Sequence, residues 1–276
     1  MKYDISPFVK WAGGKKQLLG RLEARMPREY NHYYEPFIGG GALLFDVQPK
    51  NAVINDVNPQ LINVYKQLQK DADAVIEILR DFDFALCDKS RYLAMRELYN
   101  AKIKSNTLDV ECAALMIWVN KHCFNGIYRV NARGLFNVPY NNNVNGSSMN
   151  EENLRDIGRY LREALVAIRE GDFEKACEDI QPGDFVYFDS PYVPVSETAN
   201  FTDYTKDGFT YEDHVRLAEL YKKLSQMGVK VMLSNHDVEL VYQLYKGFKI
   251  EPVAVTRAIN SDATKRTGKE VIITNY

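Results

Sequence analysis

An apolar run, Phe185-Val186-Tyr187-Phe188, delivers Asp189 and is followed by Ser190-Pro191-Tyr192. A run of that length bounded by turn residues reads as a buried strand. A carboxylate, a proline-stiffened turn and an aromatic ring therefore arrive together at one strand end. This set suits an amino group conjugated to a heteroaromatic ring, as in adenine. Such a nitrogen is a poor nucleophile because its lone pair is delocalised. A carboxylate and a backbone carbonyl that accept its two hydrogens favour build-up of electron density on nitrogen. A tyrosine face stacked on the ring holds it in line with an electrophile. An aspartate capping a turn would account for Asp189 alone, but not for the whole strand–Asp–x–Pro–Tyr unit.

Two further constellations point to a cofactor. Glu35-Pro36-Phe37-Ile38-Gly39-Gly40-Gly41 follows a second apolar segment, and Asp56 closes a third within Asn55-Asp56-Val57-Asn58. Glycines let the backbone turn sharply and approach a ligand, and an acidic residue there accepts hydrogen bonds from two ribose hydroxyls. That geometry suits an adenosine-containing cofactor. The G-x-G-x-x-G fingerprint and a Walker lysine are both missing, which disfavours a nucleotide-linked dehydrogenase. Near the start, Phe8-Val9-Lys10-Trp11-Ala12-Gly13-Gly14-Lys15 offers backbone N–H groups and a cation to a carboxylate or phosphate. Trp11 is suited either to a ligand or to the core.

The elements that must position these residues follow from pattern. Tyr34–Phe37, Ala52–Ile54, Phe185–Phe188, Lys230–Leu233 and Val271–Thr274 read as buried strands, and Asn58–Leu68 and Tyr211–Met227 as helices. Alternating strands and helices predict an α/β fold around a mainly parallel sheet with helices on both faces. The three polar strand ends would then converge on one cleft at the carboxyl edge. Residues 82–150 differ: helices at Ser90–Ile103 and Leu108–Cys123 precede a Gly/Asn-rich loop region, as in an inserted helical lobe. The core would be built from 1–81 and 151–276.

With 276 residues, 46% hydrophobic, the chain can bury one large core or a core and a smaller lobe. Its 35 basic and 37 acidic residues, net −2, exclude a uniformly basic surface but not one local basic face. Cys87, Cys112, Cys123 and Cys177 form no C-x-x-C pair, and His32, His122, His214 and His236 form no triad or metal set. No metal is expected. The amino terminus carries no apolar signal core and no run is long enough to span a bilayer, so the expectation is a cytoplasmic protein with reduced thiols and no membrane contact.

The insert carries Asn120-Lys121-His122-Cys123-Phe124-Asn125-Gly126-Ile127-Tyr128-Arg129, then Asn131 and Arg133-Gly134-Leu135-Phe136-Asn137-Val138-Pro139. Basic and amide side chains interleaved with aromatics suit groove contacts: arginine to guanine, asparagine to adenine, an apolar wedge into the stack. Lys265, Arg266 and Lys269 lie in a basic loop suited to phosphates. Ser234-Asn235-His236-Asp237 ends a strand; it either lines the cleft or caps the following helix.

Taken in order, Lys10–Lys15, Glu35–Gly40, Asn55–Asn58 and Asp189–Tyr192 resemble the motifs of the Dam-type (D12 class, alpha group) site-specific DNA adenine-N6 methyltransferases. The tail Glu270–Tyr276 is similar to that family's ending. The resemblance implies a Rossmann-like fold dependent on S-adenosyl-L-methionine, with S-adenosyl-L-homocysteine as product. Trp11, Gly13, Lys15, Phe37, Gly39, Gly40, Asp56 and Asp189 would bind the cofactor, and Asp189, Ser190, Pro191 and Tyr192 would carry catalysis on an adenine flipped from double-stranded DNA. Residues 82–150 would recognise the target, with GATC the implied site. Arg129 would read a guanine, Asn125 and Ile127 would lie beside the target step and Phe124 would take the intercalating position. Lys10 matches a base-contacting lysine, and Pro139 a recognition position; Asn131 and Arg133 complete the hairpin. No obligate protein partner is implied, and repair, regulation, restriction–modification and phage protection all fit such an enzyme. One departure stands out, since the family's motif is usually Asp-Pro-Pro-Tyr. Serine keeps the backbone carbonyl at position 190 but loses the stiffness of proline. A catalytically impaired DNA- or cofactor-binding protein of the same fold is the second reading.

Overall fold

The computed structural model describes residues 2–11, 13, 15, 17–144, 146–194, 208–256 and 267–276. In chain order these form α1 (Leu19–Glu23), β1 (Tyr33–Glu35), α2 (Ala42–Val47), β2 (Ala52–Asp56), α3 (Pro59–Asp83), α4 (Lys89–Lys104), α5 (Val110–His122) and α6 (Glu151–Glu163). There follow β3 (Ala167–Glu170), α7 (Phe173–Ala176), β4 (Phe185–Phe188), α8 (Tyr211–Gln226), β5 (Lys230–His236), α9 (Glu239–Leu244), β6 (Lys249–Thr256) and β7 (Thr267–Thr274).

The strands make one seven-stranded sheet in the order β3-β2-β1-β4-β5-β7-β6. β1 to β5 run parallel, whereas β7 is antiparallel to both β5 and β6. Period-two alternation divides the strand side chains between two apolar clusters. Tyr33, Ile54, Phe185, Tyr187, Met232 and Ile272 pack on the side of α2, α3, α5 and α6. Tyr34, Val53, Val186, Phe188, Leu233 and Ile273 pack against α7, α8 and α9. Both faces are covered, which is why these strands read as unbroken apolar runs.

All five strands expected from the sequence are present, but β3 and β6 were not expected. Both are edge strands. β3 ends on Arg169-Glu170 and is nowhere fully buried, and β6 carries Lys249, Glu251 and Pro252. A proline is tolerated there because an edge backbone group has no ladder partner to lose. Helix α3 also outruns its expected end at Leu68. Asn58 caps it, accepting from Leu61 N at 3.0 Å, with Pro59 in the first turn. At Asp71 (φ −159°, ψ 94°) the helix breaks and restarts, Asp71 accepting from Ala74 N. The charged stretch Lys70-Asp71-Ala72-Asp73 at this break hid the continuation.

The described residues of 82–150 supply no strand. α5 is nevertheless buried along Cys112–Asn120 and shares the apolar cluster of α3, and the 81/82 boundary falls in the last turn of α3. All four cysteines are buried and unbridged; burial pushes the Cys87 thiol up to about 11. No helix among the described residues is long and apolar enough to cross a membrane.

Candidate active site

Strand order reverses between β1 and β4, and a cleft opens at their carboxyl ends, where open α/β sheets place ligands. Its volume is about 570 Å³, within the range of small-molecule pockets. The β1 turn forms one wall. Asn55 holds it, donating from Nδ2 to Pro36 O at 3.0 Å while its own carbonyl accepts Ile38 N at 2.8 Å. Asp56 accepts Gly39 N at 3.0 Å and Asn58 N at 2.9 Å, so one carboxylate ties the glycine turn to the end of β2. Burial pushes Asp56 up to about 6, against the pull of those backbone N–H groups. Gly39 must be glycine: φ is +48°, and a Cβ would stand 2.8 Å from Trp11 Cδ1.

Across the cleft, Lys15 Nζ lies 2.6 Å from Asp189 Oδ1, 2.6 Å from Gly13 O and 4.5 Å from the centre of the Tyr192 ring. The lysine is only 5% exposed and the aspartate 22%. Burial alone would lower the lysine, but Asp189 holds it above its usual value. Burial likewise raises Asp189, and the Lys15 charge and the Ser234 hydroxyl push it back. An N–H donor thus already sits between a carboxylate and an aromatic face, the arrangement expected for a ring-bound amino group. Tyr192 itself is fixed, its hydroxyl donating to Glu270 at 2.8 Å and its ring packed edge-on to His236.

Glu35 is the main residue of the cleft to which sequence reasoning assigned no role. Its buried carboxylate accepts from Tyr33 OH at 2.7 Å and faces the cavity. Burial pushes it up to about 8; Asp189 adds to the rise, and Tyr33 and Lys15 oppose it. Its place at the head of the glycine segment was the available signal. The helix-capping reading of Ser234–Asp237 is not what the structure shows: α9 has no side-chain cap, and Ser234–His236 belong to β5.

The remaining expected positions fall on a turn beside the cleft. Phe124-Asn125-Gly126 forms a single 3-10 turn, with Asn125 at φ +56°. Phe124, Asn125, Ile127 and Arg129 are exposed, and Pro139 O accepts Phe124 N at 2.8 Å. Arg129 Nε donates to Asn137 Oδ1 at 2.9 Å. Asn131 Oδ1 accepts from Arg133 N and Leu135 N, closing the tip of the hairpin. Asn120, buried in α5, ties this turn to the cleft: it exchanges hydrogen bonds with the backbone N and O of Lys10 and donates to Gly126 O. Trp11 stacks on Tyr128 at 5.1 Å. Lys10, Trp11, Gly13, Lys15, Phe37, Gly39, Gly40, Asp56 and Asp189–Tyr192 all line the cavity. Lys269 is exposed at the amino end of β7, and Lys265 and Arg266 lie outside the described residues.

Residues 11–259 match the family described as D12 class N6 adenine-specific DNA methyltransferase, and the chain belongs to it. It is 45% identical to the type II methyltransferase M1.LlaDCHI of Lactococcus lactis over 100% of this chain and 97% of the relative. It is 40% identical to the type II methyltransferase M.MjaIII of Methanocaldococcus jannaschii over 99% and 100%. Against the DNA adenine methylase of Escherichia coli the figures are 30% over 98% and 94%. The protein is therefore an adenine-specific DNA methyltransferase, and enzymes of this family use S-adenosylmethionine.

Ser190 is buried, and its hydroxyl has no hydrogen-bond partner among the described residues. Removing it should cost nothing. Ser190→Ala is expected to melt at the same temperature or higher, and Ser190→Pro to change the methyl-transfer rate by less than about fivefold. A loss of tenfold or more in either variant would give the hydroxyl a role in the reaction.

Proposed function

We propose that this enzyme extrudes adenine from duplex DNA, within GATC, and methylates its N6 amino group at the Asp189–Tyr192 cleft. The observation that carries the reading is the lysine ammonium held between Asp189 and the Tyr192 ring, because a base amino group needs the same acceptor and the same face. The cleft also fits the methyl donor by the chemistry of its side chains. Asp56 offers a carboxylate to ribose hydroxyls, and Glu35 offers a buried carboxylate to an ammonium. Trp11, Gly13, Phe37, Gly39 and Gly40 line the path between them. Bound S-adenosylmethionine supplies an electrophilic methyl group on a sulfonium and is left as S-adenosylhomocysteine.

The protein's own part is orientation and charge. Asp189 and the Ser190 carbonyl accept the two N6 hydrogens, Tyr192 stacks on the base, and the buried walls exclude water. Asp189 then holds the proton that the methylated nitrogen sheds. Residues 1–81 and 151–276 form the catalytic part and 82–150 the recognition part. Lys265, Arg266 and Lys269 contact phosphates, and likeness to two type II methyltransferases supports a restriction–modification setting.

GATC rests on Lys10, Asn125, Ile127, Arg129 and Pro139, which fall at the family's recognition positions. Expression in a methylation-free host followed by single-molecule sequencing should place N6-methyl groups at GATC. Predominant modification of any other motif overturns the target but not the chemistry. Arg129→Ala should relax one guanine by about 1–3 kcal/mol of discrimination.

A further inference from the structure

β5 ends in polar residues that are buried rather than solvated. Ser234 has no exposed surface, and its Oγ lies 2.9 Å from Tyr187 OH and 3.2 Å from Asp189 Oδ1. The direction of this chain follows from donor counting. An ionised carboxylate only accepts, so the single Ser234 proton goes to Asp189, and the Ser234 oxygen accepts from Tyr187. Two further bonds from the same region hold the motif on its other side. Asn235 Oδ1 accepts Val193 N at 2.9 Å, and His236 Nδ1 lies 2.7 Å from Val193 O.

We infer that Ser234 is a positioning residue for methyl transfer: its hydroxyl, polarised by Tyr187, keeps the Asp189 carboxylate turned toward the amino group of the base. The inference rests on the site reading proposed above and deepens it. Among the described residues, the hydrogen bonds to Asp189 come from Lys15 and Ser234. The lysine occupies the position the base amino group requires, so it must leave when the base enters. Ser234 is then the donor that stops the carboxylate pivoting about its Cβ–Cγ bond. A misdirected carboxylate still lets DNA and cofactor bind but loses the in-line geometry, which places the effect in kcat. Among the described residues, the charged and titratable groups facing Asp189 are Lys15 from the amino-terminal segment, Glu35 at the end of β1, Tyr187 on β4, Tyr192 beyond it, and Glu270 on β7.

The test is steady-state methyl transfer by Ser234→Ala, Ser234→Thr and Tyr187→Phe on a duplex carrying the mapped site. Calorimetry of cofactor binding and a thermal melt accompany each variant. Ser234→Ala should lower kcat by roughly 10- to 100-fold, with KM for DNA and Kd for cofactor within about threefold. The acid limb of its kcat profile should move to higher pH, because a donor to the charged carboxylate is gone. Ser234→Thr should restore both. Tyr187→Phe keeps its ring packing and should lose a smaller factor, roughly 3- to 10-fold, with the limb moving the same way. It decides the matter if Ser234→Ala fails to fold. An unchanged kcat and pH limb in a folded Ser234→Ala, or in Tyr187→Phe, overturns the inference while the site reading stands. A wild-type protein that methylates no adenine overturns both.

Discussion

Asp189→Ala is expected to lower methyl transfer by at least about 10³-fold while DNA is still bound within about fivefold of wild-type affinity. The asymmetry follows from what each process uses. Affinity for DNA is dominated by phosphate contacts, whereas Asp189 lies inside the cleft, bonded to Lys15 and Ser234, where its proposed DNA partner is the reacting amino group alone. The same substitution has a second effect that must be separated from the first. Lys15 is 5% exposed, and without Asp189 its ammonium keeps only the Gly13 carbonyl and the Tyr192 face. Breaking a buried pair from one side costs about 3–5 kcal/mol. Because 22% of Asp189 meets solvent, we expect about 2–3 kcal/mol here. A chain of this size then melts lower by on the order of 5–10 °C. Lys15→Met in the same chain should restore the melting temperature and leave turnover abolished. Turnover within tenfold of wild type in the single variant would remove Asp189 from the chemistry.

Cofactor binding at pH 7 is expected to release close to one proton per site. Glu35 sits at about 8 because burial disfavours its charge, so it is mostly neutral at pH 7 in the free enzyme. S-adenosylmethionine brings an α-ammonium and a sulfonium, and pairing with either requires the ionised carboxylate. Calorimetry in buffers of different ionisation enthalpy reads the release directly. Glu35→Gln should abolish it and weaken binding by roughly 10- to 100-fold, the range for hydrogen bonds to a charged group. The sign for stability follows from the same shift. A carboxyl raised from 4.5 to about 8 contributes stability that is complete below its ordinary value and is lost as pH rises through 8. The free wild-type enzyme should therefore melt lower at pH 9 than at pH 7, and Glu35→Gln should lose less over that interval. Binding without proton release would place the cofactor's cations elsewhere.

What could be read in the sequence was whatever a single strand carries with it. Phe185–Phe188 is apolar on both faces because helices cover both, so the run announces its own strand and delivers Asp189 with it. Asp56 was legible for the same reason, and Asn58-Pro59 marks the start of α3 by capping chemistry alone. The misses needed partners distant in sequence. Nothing near Glu35 says that burial, with Asp189 brought beside it, will keep it neutral against the pull of the Tyr33 hydroxyl, and nothing near Ser234 says that Tyr187 and Asp189 stand beside it. β3 and β6 escaped notice because edge strands lack the continuous apolar signature of central ones. Asp71 hid half of a helix by interrupting it with charge.

Asn120 binds the backbone of Lys10 on both sides and the carbonyl of Gly126, and Gly126, at φ +66°, has Lys10 Cδ 2.5 Å from where a Cβ would be. The turn proposed to face the DNA is in effect bolted to the floor of the reaction chamber, with no spare volume at the joint. Such a joint cannot lengthen, shorten or take a bulkier residue without shifting Trp11 and the cleft it lines. Variation is left to Phe124, Asn125, Ile127 and Arg129, which are exposed. New target sequences would then be acquired like type in a composing frame, by exchanging exposed letters while the frame stays rigid.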